Sequence, residues 1–299
     1  MKFSSPISDM KLTFKVSAND AGRVLKRVLR DRLYLSTAML RTAKHEGDIL
    51  LNGKSVFVTA TVAEGDVVDV CFPAETADYP AEEGAISVLW EDEYFMAVDK
   101  PAGIITHPTH SRISGTLANY ALFYSLAHGG AGCHAVNRLD RDTGGVILFA
   151  KSAYAKSISM DLDYEKMYLA AVFGSPAVDC GTVDLPIKRA NDSDMRRVTA
   201  PDGAPSVTHY QVLRRWGDFS LLRLRLETGR THQIRVHMAA IGHPLLGDRL
   251  YGTEASLAIS QKLNVPHHLL HAESLRFVHP LSNAEISILS QPKWPEIIL

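Results

Sequence analysis

Apolar and polar positions along this chain follow two different periods. Val24, Leu25, Val28 and Leu29 share one face of a helix, and Arg23, Lys26, Arg27 and Arg30 take the other. Ser36 can cap a second helix carrying Met39, Leu40 and Ala43, and Gly47 can end it. Asp48–Leu51 and Ser55–Val58 then flank Asn52-Gly53, a pair suited to a type I′ turn, which predicts a hairpin. Gly65-Asp66 precedes a further short strand, Val67–Cys71. Further on, Tyr94–Val98, Gly145–Ala150, Tyr168–Phe173, Val207–Leu213 and Phe219–Leu226 read as strands. Helices are expected at Thr116–Leu126 and His232–Ile241, the latter stopped by Gly242 and Pro244. Strands outnumber helices and do not alternate regularly with them. The expectation is an α+β protein in which a small α/β module over residues 12–73 precedes a larger domain over 86–297. That domain should be built on a mixed, mostly antiparallel sheet. Of the 299 residues, 46% are hydrophobic, enough for one large core or two smaller ones.

The formal net charge of −1 conceals a local asymmetry. From Arg23 to Lys54 there are eight Lys or Arg against three acids, a local net of +5. A charge run by itself usually marks a solvated helix face. From Ala74 to Val98 there are seven acids and no Lys or Arg. With Pro73, Pro80 and Gly84, residues 74–85 read as an acidic interdomain linker that phosphates would repel. Cys71, Cys133 and Cys180 form no CxxC pair, and the odd count argues for reduced thiols in a cytoplasmic protein. Met1–Met10 lacks the apolar stretch of a signal peptide, and no apolar run approaches the roughly 20 residues needed to span a bilayer.

The chemistry concentrates in HAVNRLDRDTGGVILFAKS, residues 134–152. A polar loop bearing Arg138, Asp140, Arg141 and Asp142 runs into an apolar strand, the setting in which catalytic groups are held. Flanking arginines favour an ionised carboxylate. From spacing alone, a salt-bridged loop without chemistry is the plainer interpretation. His232 and His237 stand five apart, so they do not share a helix face as the two histidines of HExxH do. With no CxxC, no metal site is expected, and there is no P-loop, GxGxxG or GxSxG elbow.

The same stretch resembles the signature of pseudouridine synthases of the RluA type. Arg138, Leu139, Asp140, Thr143, Gly145, Ala150 and Lys151 stand at matching positions, while Asn137 and Gly144 depart from it. Five further segments resemble that family in order. They are EDEYFMAVDKPAGIITHPT with Lys100, Pro101, Gly103 and His107; GTLANYAL and EKMYLAAVFG with Tyr168; ETGRTHQIRVHMAAIGHPLLGDRLYG; and LLHAESLRFVHPLS. The N-terminal order of helix, helix, Asn-Gly hairpin and Gly-Asp strand resembles the small RNA-binding module of ribosomal protein S four. Together the resemblances cover about residues 12–290.

The resemblance implies that a uridine in structured RNA is isomerised to pseudouridine without a cofactor, because the reaction is redox-neutral and loses no atom. Asp140 would be the reacting carboxylate and Arg235 its bidentate partner, a geometry Lys cannot reproduce. Tyr168 would stack on the uracil and help remove the carbon-5 proton, and Arg138 would fill the space left by the flipped base. Further RNA or substrate contacts are expected at Asn137, Leu139, Thr143, His107, Arg230 and His232, and at Arg23, Arg27 and Lys44 of the N-terminal module. Lys188, Arg189, Arg196 and Arg197, flanking an Asn-Asp-Ser-Asp loop, suit phosphate contacts. Ribosomal RNA is the first expected partner and transfer RNA the second, with the protein a cytoplasmic monomer. Two other functions stay open at this stage: an RNA-binding protein of the same fold without catalysis, and a nucleoside or glycoside hydrolase, which would want two carboxylates.

Overall fold

A computed structural model describes residues 10–160, 162–191, 195–294 and 298. Residues 1–9, residues 192–194 of the basic-flanked loop, and the end of the second domain at 295–297 lie outside the described residues.

The N-terminal part runs β1 (Met10–Lys15), α1 (Leu25–Leu33), α2 (Thr37–Glu46), β2 (Asp48–Leu51), β3 (Lys54–Ser55) and β4 (Val67–Phe72). Its strands pair antiparallel in the order β1-β4-β2-β3. Ser36 caps α2 as expected, its hydroxyl accepting the Met39 N–H. Asn52 and Gly53 both carry positive φ, 53° and 77°, which is what a type I′ turn requires. Strand β1 was not expected from the sequence.

The larger part begins with β5 (Val88–Glu91), β6 (Phe95–Lys100), α3 (Leu117–Ala127), β7 (His134–Ala135), β8 (Gly144–Ala150) and α4 (Ala153–Ile158). It continues through β9 (Glu165–Phe173), β10 (Cys180–Asp184), β11 (Ile187–Arg189), β12 (Arg197–Thr199), β13 (Val207–Trp216) and β14 (Phe219–Leu226). Helices α5 (Gln233–Ala240) and α6 (Glu254–Lys262) and strands β15 (Leu270–Val278) and β16 (Glu285–Leu289) complete it. Among the described residues, ten of these strands form one sheet with the path β10-β13-β14-β9-β15-β8-β6-β5. β15 runs parallel to β8, and the other pairings are antiparallel. The architecture is therefore mixed α+β with a mostly antiparallel sheet.

Alternation along β6 and β8 explains why both strands are almost wholly apolar. Met96, Val98, Ile147 and Phe149 pack under α3, whereas Phe95, Ala97, Leu148 and Ala150 join a cluster continuing through Tyr154 to the N-terminal part. Successive strand residues face opposite ways, so the sheet is covered on both sides. The Phe72 and Tyr154 rings stack across this junction at 6.4 Å.

Residues 73–87 form no helix or strand, yet they are docked. Tyr79 is buried and donates to the Cys133 carbonyl at 2.7 Å. Glu75 faces His134 at 2.7 Å and accepts the Ala153 N–H, and Glu82 accepts the Gly115 N–H.

Candidate active site

The loop 136–143, which enters β8 beside β15, is pinned at several points. Lys100 is almost fully buried, and its ammonium donates to the carbonyls of Arg141 and Thr143 at 2.8 Å and of Pro101 at 3.0 Å. Burial pushes that ammonium down to about 8, with Asp142 and Asp140 pulling it back up. Thr106 donates to the Leu139 carbonyl, and the Gly103 N–H to that of Arg141. Leu139 plugs into the apolar cluster of Tyr168, Ile234 and Leu270. A loop tied this way presents its one remaining carboxylate in a fixed place.

That carboxylate is Asp140. Its Oδ2 accepts from Arg235 Nη1 at 3.1 Å and lies 3.7 Å from His232 Nε2. It stands between an inner pocket lined by Tyr168, Leu226, Ile234 and Leu270 and an outer cleft of about 910 Å³ lined by His107, Arg138 and Met195. The cleft lies within the usual size range of ligand sites, about 300–1,000 Å³. Arg138 is exposed, lines both spaces and makes no ion pair among the described residues. Arg230 reaches the inner pocket.

The structure corrects several expectations. The bidentate partner of Arg235 is Asp248, not Asp140: Nε and Nη2 meet the two Asp248 oxygens at 2.7 and 2.9 Å. Asp248 is fully buried and already turned to accept the N–H groups of Leu250 and Tyr251, so it offers the better-organised acceptor. Burial raises the Asp248 carboxyl, but the Arg235 bonds and charge outweigh that and hold it below the ordinary range. Burial, with Asp140 beside it, pushes the Tyr168 phenol up to about 12, so its proton is held near pH 7. Asn137 accepts the Leu148 N–H at 2.8 Å, tying the loop to β8. Thr143 is buried with its hydroxyl 2.9 Å from His268 Nε2, which ties the loop down, and the residue also lines the inner pocket. Arg23 is committed to Asp20 at 2.8 Å and to Asp31, whereas Arg27 and Lys44 are exposed without ion pairs among the described residues. Asp142 is taken by Arg141 at 2.9–3.0 Å, so no second free carboxylate accompanies Asp140 on this loop.

Asp248, Tyr251 and Thr106 were not singled out in the sequence. GDRLYG holds the clue to two of them: Gly247 carries φ +77°, with no room for a Cβ against the His267 carbonyl at 2.1 Å, and that turn delivers Asp248 to Arg235. Other histidines serve the scaffold: His237 bonds Thr208 and the Leu185 carbonyl, and His271 bonds Ser290. No group of three or more His, Cys, Asp or Glu able to hold a metal occurs among the described residues, and no helix there is long and apolar enough to cross a membrane.

The RNA pseudouridylate synthase family profile matches residues 94–240. A Bacillus subtilis protein named uncharacterized RNA pseudouridine synthase YjbO is 40% identical over 243 residues, covering 79% of this chain and 83% of that one. The chain belongs to the RNA pseudouridine synthase family. Ribosomal large subunit pseudouridine synthase D of Xanthomonas campestris pv. campestris is 35% identical over 299 residues, covering 95% of this synthase and 89% of its own length. Among solved structures, human RNA pseudouridylate synthase domain containing 1 superposes with a TM-score of 0.55 at 24% identity, covering 71% of this chain and 86% of that one. The synthase therefore isomerises uridine to pseudouridine in RNA.

Proposed function

We propose that this synthase acts on RNA of the large ribosomal subunit, with Asp140 as its reacting carboxylate and no cofactor, as a cytoplasmic monomer. One observation carries the site assignment: Asp140 is the carboxylate held by a buried guanidinium where an apolar pocket opens into the cleft. Isomerisation breaks the bond from C1′ to N1, turns the base and joins C1′ to C5, with the C5 proton lost and N1 taking one up. Asp140 starts it, by attack on C1′ or removal of the C2′ proton; both need an anion held out of bulk water beside the sugar. Tyr168 packs beneath the uracil with its proton on, and Arg138 enters the stack as the base leaves it. A freed base would need an activated water, and no second free carboxylate on the loop supplies one.

The ribosomal assignment draws on the named Xanthomonas relative, which aligns along nearly the whole chain, N-terminal part included. Pseudouridine maps of RNA from cells with and without the protein test it. Large-subunit RNA should lose one or more sites; loss confined to transfer RNA would overturn the substrate, and no loss the activity.

The N-terminal part then anchors the RNA through exposed cations. Replacing Arg27 and Lys44 together by Ala should weaken RNA binding and lower the log–log salt slope by about 1.4–1.8, near 0.7–0.9 for each phosphate no longer neutralised. Arg23→Ala should change the slope less, since its guanidinium is occupied by Asp20 and Asp31. Fluorescence anisotropy across salt concentrations reads both.

A further inference from the structure

His232 sits at the head of α5 with φ 59° and ψ 16°, a left-handed conformation that a residue with a Cβ adopts only where its surroundings hold it. Its ring stands edge-on to that of Tyr251, centroids 5.7 Å apart, and Arg235 lies over the Tyr251 ring at 5.0 Å. The Tyr251 hydroxyl oxygen accepts the Arg197 N–H at 2.8 Å and lies 2.9 Å from His232 Nδ1. A phenol has one proton to give, and no other acceptor is within hydrogen-bond reach of it among the described residues. Tyr251 therefore donates to Nδ1, and a neutral imidazole carries its own proton on Nε2, the nitrogen facing Asp140. Burial lowers this imidazole's proton affinity; Asp140 and Asp248 oppose that, while Arg235 and Arg197 add to it. The ring is accordingly neutral near pH 7.

The 3.7 Å between Nε2 and Asp140 Oδ2 is too long for a hydrogen bond and leaves room for one hydroxyl bridging the two. Such a hydroxyl must accept from Nε2–H and donate to the carboxylate. Inside an RNA chain the 3′ and 5′ oxygens are esterified, so the one free ribose hydroxyl is the 2′-OH, which both donates and accepts.

We infer that His232 and Asp140 together grip the 2′-hydroxyl of the target nucleotide, and that Tyr251 is the positioning residue that keeps the His232 proton on Nε2. The assignment rests on Asp140 being the reacting carboxylate. It makes the site select ribose over deoxyribose at the modified position, and it links the β11–β12 hairpin, through the Arg197 backbone, to the reacting centre.

Three measurements test this. Nitrogen-15 spectra of the free protein at pH 7, with the His232 signals assigned by their loss in His232→Gln, should show Nε2–H in the wild type and a mixture of tautomers in Tyr251→Phe. A wild-type ring protonated on Nδ1, or charged, overturns the inference without any variant needing to turn over. His232→Gln places an amide N–H near Nε2 and should keep kcat within about 10-fold, whereas His232→Asn should lower it about 10²-fold. A purely conformational role predicts the reverse, because Asn is the residue at ease with positive φ. Finally, on large-subunit RNA fragments bearing the mapped uridine as ribose or as 2′-deoxyribose, the deoxy substitution should cost the wild type about 10-fold or more in kcat/KM and His232→Asn little further. Equal losses in both overturn the grip. If Asp140→Asn is also fully active, the reading of the site has failed; if that variant is dead and the losses are equal, this inference alone has.

Discussion

Asp140→Asn protein releases no measurable tritium from RNA labelled at uracil carbon 5: a loss of about 10⁴-fold or more in turnover is expected, with RNA affinity unchanged. The substitution is nearly isosteric, and its amide oxygen can still accept from Arg235 Nη1, so the pocket keeps its shape. What disappears is the anion able to act on the sugar. The loop does not depend on that side chain for its position, because Lys100, Thr106, Thr143 and Asn137 hold it through other atoms. Tritium release is the suitable readout since pseudouridine and uridine have the same mass. Full activity in this variant would remove Asp140 from the mechanism.

The second large effect concerns Arg235 and Asp248. Arg235→Met leaves a carboxylate with no exposed side-chain surface facing a thioether, and should cost about 3–5 kcal/mol of stability near pH 7 along with turnover. Adding Asp248→Asn should restore most of the stability, because the amide oxygen still accepts the N–H groups of Leu250 and Tyr251 and no charge is left buried. It should restore no activity, since Asp140 has still lost its guanidinium.

The pH dependence of this pair has a definite sign. In the wild type the Asp248 carboxyl is held below its ordinary value near 3.8. Its contribution to stability is therefore complete above that value and is lost as pH falls through the lowered one. In Arg235→Met, burial acts unopposed, the carboxyl rises, and the folded variant takes up a proton at a pH where the wild type does not. The stability gap should be widest near pH 7 and narrow toward pH 4. Urea denaturation at the two pH values measures it, and a constant gap would show that Asp248 is not the buried charge responsible.

Much of the fold was legible because local rules acted alone. Ser36 had only its own helix to cap, Asn52-Gly53 had one turn to make, and Gly145–Ala150 had to be a strand buried on both faces. Strands β11 and β12 are three residues each, and β10 is mostly exposed along its length, so none presents an apolar period of its own. The carboxylate loop was visible as a motif, and Asp140, Arg235 and Tyr168 do converge on one pocket.

Which side chain serves which partner was not visible, since pairing between side chains 13 to 125 residues apart is set by where the backbones pass. Arg235 could be named from its motif, but its fork turned to Asp248 because the Gly247 turn brings that acid, already hydrogen-bonded, to the helix. Thr143 and Asn137 lie in the signature loop, where the Thr143 hydroxyl meets His268 and the Asn137 amide oxygen accepts the Leu148 N–H. The amino-acid sequence by itself determined the element pattern, the family and the candidate carboxylate, because each rests on short-range spacing. Only the tertiary structure decided the hydrogen-bond partners, the burial of Tyr168 and the surroundings of the His232 ring, because desolvation and hydrogen-bond direction exist only once distant segments enclose the same few ångströms.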